Sequence, residues 1–185
     1  MASVRTADRD RYLSTLYAPA PLRPALFALH ALDLELAKIV ATASEPMIAE
    51  IRLAWWRDAL TGLDAGRIPA QPLLASLAAE VLPRGVGGTV LAGFEDAFLA
   101  QLHGEDAQGA RGAALFAAAA TVLGGDAGQA RDYGRVWRGA ATMPTARASR
   151  ALRPLAGLAA IGGRADPPGS LGRQAIMLRV NLFGR

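Results

Sequence analysis

The sequence predicts an all-α protein folded as one domain, on three observations. Alanine and leucine dominate while β-branched residues are sparse, which favours helix over sheet. Hydrophobic residues make up 52% and charged residues 19% of the chain, too apolar for a disordered polymer. The 185 residues are enough for one substantial buried core. About eight or nine helices are expected, because apolar positions recur at helical spacing between proline and glycine breaks.

A first short helix is expected over 6–18, with Tyr12, Leu13, Leu16 and Tyr17 on one side. Pro19, Pro21 and Pro24 break it, and Pro21 or Pro24 suits the first turn of a second helix reaching about Ala43. That helix places Leu22, Leu26, Leu29, Leu36 and Ile39 near helical spacing. Ser44 is suited to cap a third helix, with Glu45 and Pro46 in its first turn. Met47, Ile51, Trp55 and Leu63 mark one edge of it, flanked by Ile48 and Trp56.

Pro69 and Pro72 introduce a shorter helix through Val81. A further helix is expected from about Val86 to His103, then an alanine-rich one from about Ala107 to Leu123 closed by Gly124–Gly125. Small side chains there allow close approach of neighbours. Asp126 to Ala141 reads as a helix carrying Tyr133 and Trp137 one turn apart. Residues 145–163 are helical in pattern but contain Pro154, which predicts a kink. Ser170 is placed to cap a terminal helix reaching about Phe183.

Several function classes are disfavoured. There are no cysteines, which removes disulfides, thiolate nucleophiles and Cys-ligated metals and fits a reducing, cytoplasmic setting. The first residues carry charge where a signal peptide needs an apolar core. The longest near-continuous apolar run, 113–123, is about half of the roughly 20 residues needed to span a bilayer. Net charge is +4 with a pI of about 10.3, almost all of it arginine scattered singly. Nucleic-acid binding, which asks for clustered basic residues and stacking aromatics, is not expected. Peripheral contact with an anionic lipid surface, or attraction of a diphosphate, fits the charge.

Common catalytic templates are missing. Gly85–Val86–Gly87–Gly88 lacks the lysine and hydroxyl of a phosphate loop. His30 and His103 stand alone, without metal-ligand spacing, and read as core-edge or surface residues. Asp33 and Glu35, two apart on a helix, point to different faces and make a poor metal pair. Those two, together with Asp58, Asp126 and Asp132, read as helix-start charges or solvated faces.

Other strings have a clear likeness. Asp10–Arg11–Tyr12, the run from Ala18–Pro19 to Ala28–Leu29, Ser44–Glu45–Pro46–Met47, and Glu50–Ile51–Arg52 with Trp55–Trp56–Arg57–Asp58–Ala59–Leu60 together resemble the squalene/phytoene synthase family of head-to-head prenyl synthases. Gly109 to Gly125, Arg153–Pro154 and Gly172 to Arg185 are similar to later parts of it. The resemblance implies a shortened class I isoprenoid synthase bundle. In active members it implies two aspartate-rich motifs that hold Mg2+ and the substrate diphosphates, hard oxygen ligands for a hard cation. Aligned on Ala25–Leu26–Phe27–Ala28, the first motif falls on Ala37–Lys38–Ile39–Val40–Ala41, where every carboxylate is missing and Lys38 places a cation. The second should follow Trp137, and 139–150 contain no acidic residue.

This pattern resembles the family's non-catalytic branch, which includes a mitochondrial respiratory complex I assembly factor. The expected function is therefore that of a catalytically inactive binding or assembly protein with no cofactor. Its expected partner is another protein or a prenyl-diphosphate or lipid ligand. Lys38, Arg52, Trp55, Trp56 and Arg57 are the candidate contacts, because one ring of an adjacent tryptophan pair faces away from the core when the other enters it; burial of both rings is the competing expectation. The alternative is a prenyl-diphosphate transferase with atypical ligands, and it alone calls for Mg2+. A third reading is an all-α domain similar to the family only in helical composition.

Overall fold

Proline and glycine set most of the helix boundaries. The computed structural model describes residues 2–185, with side chains from Val4 onward, and these contain helices and no strand. The order is α1 (Ala2–Ala7), α2 (Arg9–Leu16), α3 (Arg23–Thr42), α4 (Pro46–Leu63), α5 (Pro72–Glu80), α6 (Gly88–Ala92), α7 (Glu95–Leu102), α8 (Gln108–Leu123), α9 (Ala127–Trp137), α10 (Arg153–Ala160) and α11 (Leu171–Phe183). Short 3-10 turns at 20–22, 82–84 and 150–152 link them. The all-α bundle that the composition predicts is the fold observed.

Four boundaries differ from the sequence reading. The first helix is divided because Asp8 leaves helical geometry (φ −151°, ψ 99°) and its side chain accepts from the Arg11 N–H, starting α2. The boundary residue of α4 is Glu45 rather than Ser44, and no side chain caps it. The helix expected over 86–103 is two, separated at Gly93–Phe94. At the start of α6, Asp64 reaches across from the end of α4 and accepts from the backbone N–H groups of Gly88 and Thr89 at 2.5 and 2.8 Å, capping α6 from another helix. Finally α9 stops at Trp137, residues 139–149 are irregular, and Pro154 lies in the first turn of α10, where its missing N–H costs nothing, instead of inside a kinked helix.

One contiguous apolar cluster runs through the molecule. Its largest fully buried side chains include Tyr133, Phe98 and Phe116 with Leu26, Leu29, Leu32 and Leu36 of α3. α3 is therefore the central helix, touching α1, α2, α4, α5, α7 and α8. The closest helix pair is α8 with α9, where backbone meets backbone. A Cβ on Gly112 would lie 2.1 Å from the Gly134 carbonyl oxygen, and one on Gly134 equally close to the Gly112 oxygen. The alanine-rich face of α8 completes that contact, with Ala113, Ala119 and Ala120 buried.

Two residues distant in sequence lock the ends of the chain together. Asp10 of α2 accepts from the Gly169 N–H at 2.8 Å and pairs with Arg173 of α11 at 2.6 Å. The Ala148 N–H donates to the Gly184 carbonyl at 2.8 Å. Gly112→Ala is expected to destabilise the fold by about 1–3 kcal/mol through overpacking. Gly172→Ala, where nothing lies within 4 Å of the new Cβ, should stay neutral or gain up to about 1 kcal/mol; urea unfolding of both variants checks the contrast.

Candidate functional site

The inner side of α3 carries a charge that the apolar pattern around it does not announce. Asp33 is 1% exposed and receives three guanidinium groups. Arg11 of α2 donates to Oδ2 at 2.7 Å, Arg111 of α8 to Oδ1 and Oδ2 at 2.7 and 2.8 Å, and Arg138, just after α9, to Oδ2 at 3.1 Å. Burial by itself would push the Asp33 carboxyl up; the Arg111 hydrogen bonds and the three positive charges outweigh it and hold the group well below the usual carboxylate range.

Three cations around one anion leave an excess of positive charge, and the aromatic rings help to accommodate it. The Arg11 and Arg138 guanidinium carbons lie 4.7 and 4.0 Å from the centroid of Trp137, and that of Arg111 lies 4.5 Å from the centroid of Phe98. Trp137 in turn stacks on Phe116 at 5.2 Å. Asp8 supplies a second carboxylate, 2.9 Å from Arg11 Nε. Desolvation lowers the Arg138 pKa to about 10, opposed by Asp33. His30, one turn before Asp33, is 2% exposed and its Nδ1 has no hydrogen-bond partner. Desolvation, with the neighbouring Arg11 and Arg138 charges, lowers its pKa to about 3, so the ring is neutral.

These positions correct two expectations. Asp33 is neither a helix-start charge nor solvated; it is the centre of a buried ion cluster. His30 is fully inside the bundle rather than at its edge. The cluster was hard to see in the sequence because its four members are separated by up to 127 positions. The one local signal was an aspartate within an otherwise apolar helix face.

Magnesium fits poorly here. Ala37 and Ala41, one and two turns beyond Asp33, bring methyl groups to the side of α3 where a metal motif would bring carboxylates. The Asp33 oxygens are both engaged by guanidinium N–H groups. No group of three or more His, Asp or Glu side chains among the described residues is arranged to hold a metal.

Lys38 does not join the cluster. Five residues beyond Asp33, about 140° round the helix, it is exposed and lines an open groove of about 890 Å³ between α3 and α5. Phe27, Leu34 and Leu73 give that groove its apolar floor. The remaining candidates lie on α4. Trp56 is 5% exposed and Trp55 48%, with their rings edge to face at 5.3 Å. The structure therefore separates the pair into one core ring and one surface ring. Trp55 continues an outward stripe with Met47, Ile48 and Ile51, all exposed. Arg52 lies on the same exposed surface. Arg57 is also exposed but pairs with Asp58 at 3.2 Å and reaches the buried Glu95 of α7 at 3.5 Å. Burial raises the Glu95 pKa against the pull of Arg57.

The model of the squalene/phytoene synthase family matches residues 4–108. Curated relatives include NADH dehydrogenase (ubiquinone) complex I, assembly factor 6, from Bos taurus, 34% identical over 74 residues, covering 40% of this chain and 22% of that protein. The protein of the same name from Homo sapiens is 32% identical over 74 residues with the same coverage. The Drosophila melanogaster homolog is 41% identical over 61 residues, or 32% of this chain and 18% of that protein. The chain thus matches about a fifth of these relatives' length. No solved structure matches it.

Removing the hub anion leaves three guanidinium groups facing one another. Asp33→Ala should cost about 3–5 kcal/mol or prevent folding, while Asp58→Ala on the surface should change stability by less than about 0.5 kcal/mol; chemical denaturation compares them. His30 has a second consequence. Its folded pKa of about 3 lies below the ordinary 6.5, so the unfolded chain binds the extra proton first. Stability should fall as pH drops from 6.5 towards 3, by up to about 1.4 kcal/mol per pH unit. The Asp33 contribution persists until the pH is below the ordinary carboxylate range. His30→Leu should flatten the slope between pH 6.5 and 5, and an unchanged slope would assign it to another group.

Proposed function

This chain belongs to the squalene/phytoene synthase family, and we propose that it serves there as a non-catalytic binding or assembly protein rather than as a prenyl synthase. The observation that supports this reading most is the state of the inner face of α3. Class I prenyl chemistry needs hard oxygen ligands to neutralise the departing diphosphate. Here the positions where the resemblance places the first motif hold the half-buried Ala37 and the exposed Ala41 and no carboxylate, and the buried carboxylate of α3, Asp33, is already neutralised by three arginines. The relatives named as complex I assembly factors point to a protein partner, and a respiratory complex is the proposed context. The cysteine-free composition supports work in a reducing, cytoplasmic setting.

The partner surface proposed is the outer stripe of α4. Met47, Ile51 and Trp55 stand at four-residue spacing and remain exposed, which is the arrangement of anchors that a helix offers to a complementary groove. Arg52 lies alongside and would add a charged contact at the rim.

A second reading rests on the α3–α5 groove. Its apolar floor would suit an isoprenoid chain, and Lys38, among the described residues the one cation in a lining that also includes Glu35 and Glu80, is the group a diphosphate would have to use, giving either ligand binding or a transferase with atypical ligands.

One experiment separates the two. Purified protein is incubated with farnesyl or geranylgeranyl diphosphate and Mg2+, assayed for diphosphate release, and titrated in a calorimeter with and without EDTA. No release is expected; turnover would overturn the non-catalytic reading. Binding that survives EDTA and weakens at least threefold in Lys38→Asp would place a ligand in the groove. For the protein partner, Trp55→Ala and Ile51→Ala together should abolish capture of respiratory complex I subunits without changing the melting temperature. Capture at the wild-type level would remove α4 from the reading.

A further inference from the structure

The charge of this chain is strongly uneven. Residues 1–132 hold eleven lysines and arginines against fifteen carboxylates, a net −4, whereas 133–185 hold nine arginines against the single Asp166, a net +8. Part of that excess is used internally. Arg135, Arg138, Arg164 and Arg173 each pair with a carboxylate. Arg147, Arg150, Arg153, Arg179 and Arg185 take part in none of the ion pairs of the described residues.

The fold gathers four of these five. Arg147, Arg153, Arg179 and Arg185 line one shallow depression with Leu182 and Phe183. Arg153 is held in place because its guanidinium donates to the Asn181 and Leu182 carbonyls at 3.0 Å, at the end of α11. The tail returns beside it through the Ala148–Gly184 hydrogen bond. Arginines far apart in sequence become one basic patch.

α11 shows an apolar face to the outside. Its inward residues are Met177 and Val180, both at most 1% exposed. Outward stand Leu171, Leu178, Leu182 and Phe183, at 84, 47, 58 and 61% exposure. Their spacing of seven and then four residues puts the three leucines on one helical stripe. Apolar side chains ringed by unpaired arginines form the pattern of a helix that lies in the boundary of a lipid bilayer, side chains in the acyl region and cations at the headgroups.

From this charge and apolar pattern, we propose that the outer face of α11 docks on an anionic membrane surface, with Leu178, Leu182 and Phe183 entering the interface and Arg147, Arg179 and Arg185 meeting lipid phosphates. This inference is independent of the protein-partner reading, which concerns α4. Charge decides between the occupants. A second copy would bring the same arginines to face these, and like charges brought together repel. A nucleic acid would meet the arginines but would leave three leucines in water, with one aromatic ring for stacking. An anionic bilayer meets both parts of the face.

The test uses the 185-residue protein and vesicle flotation, with vesicles of phosphatidylcholine alone and vesicles in which a quarter of the lipid is phosphatidylglycerol. Wild-type protein should float with the anionic vesicles only, and less as salt is raised. Arg179→Glu with Arg185→Glu should reduce partitioning on the order of tenfold or more. Leu182→Ser with Phe183→Ser should reduce it several-fold while the charge is unchanged. All four positions are exposed, so circular dichroism melts should match wild type. Equal binding to both vesicle types, no binding to either, or insensitivity to the leucine–phenylalanine pair would overturn the proposal. So would a dimer that is broken by Leu182→Ser in the absence of vesicle binding. The Trp55→Ala and Ile51→Ala variant should float like wild type, which separates the two surfaces.

Discussion

Asp33 brings one negative charge into the interior of a helical bundle and binds guanidinium groups from α2, α8 and the end of α9. Four segments of the chain are thereby fixed around one carboxylate. Taking such charges out of water is expensive, and the cost is offset only when the geometry is good and the remaining donors find partners. Here the carboxylate is fully hydrogen-bonded, Asp8 supports Arg11, and Trp137 and Phe98 face the cations. The surrounding packing is consistent with that demand. Gly112 and Gly134 let α8 and α9 touch backbone to backbone, which brings Arg111 on one helix and Arg138 beyond the other to the same carboxylate.

The same cluster bears on function. In a class I prenyl synthase the interior of the bundle must expose carboxylates to magnesium and diphosphate. In this chain α3 carries alanines at 37 and 41, and the lone pairs of its one buried aspartate are committed to arginine. On the proposed non-catalytic reading that interior serves to hold helices together, and the surfaces proposed for recognition lie elsewhere. They are the α4 stripe around Trp55, the groove beside Lys38, and the basic apolar face of α11. Each has a different chemistry, so each answers to a different probe.

Much of this was legible from the residues. The helix positions follow from proline, glycine and apolar spacing, since these act locally through backbone geometry. The family likeness rested on short strings such as Trp55–Trp56–Arg57–Asp58, and the family model matches the same part of the chain. The start of α6 was not legible, because the residue that caps it at Gly88 is Asp64, twenty-four positions earlier. The 100° step of a helix left open whether Trp55 and Trp56 would be divided or both buried; what lay against α4 decided that Trp56 is buried and Trp55 exposed.

By itself the sequence determined the helical class, the family resemblance and the absence of carboxylates at Ala37 and Ala41, because composition and local pattern are one-dimensional properties. Only the tertiary structure decided the meaning of the charges. Arg11, Asp33, Arg111 and Arg138 read as four scattered ions until α3, α8 and α9 packed and dehydrated them together. Arg147, Arg153, Arg179 and Arg185 likewise became a patch only when the chain end folded back beside α10. The strength of a charge depends on what surrounds it and how far water is excluded, and both are set by neighbours that sequence distance does not reveal.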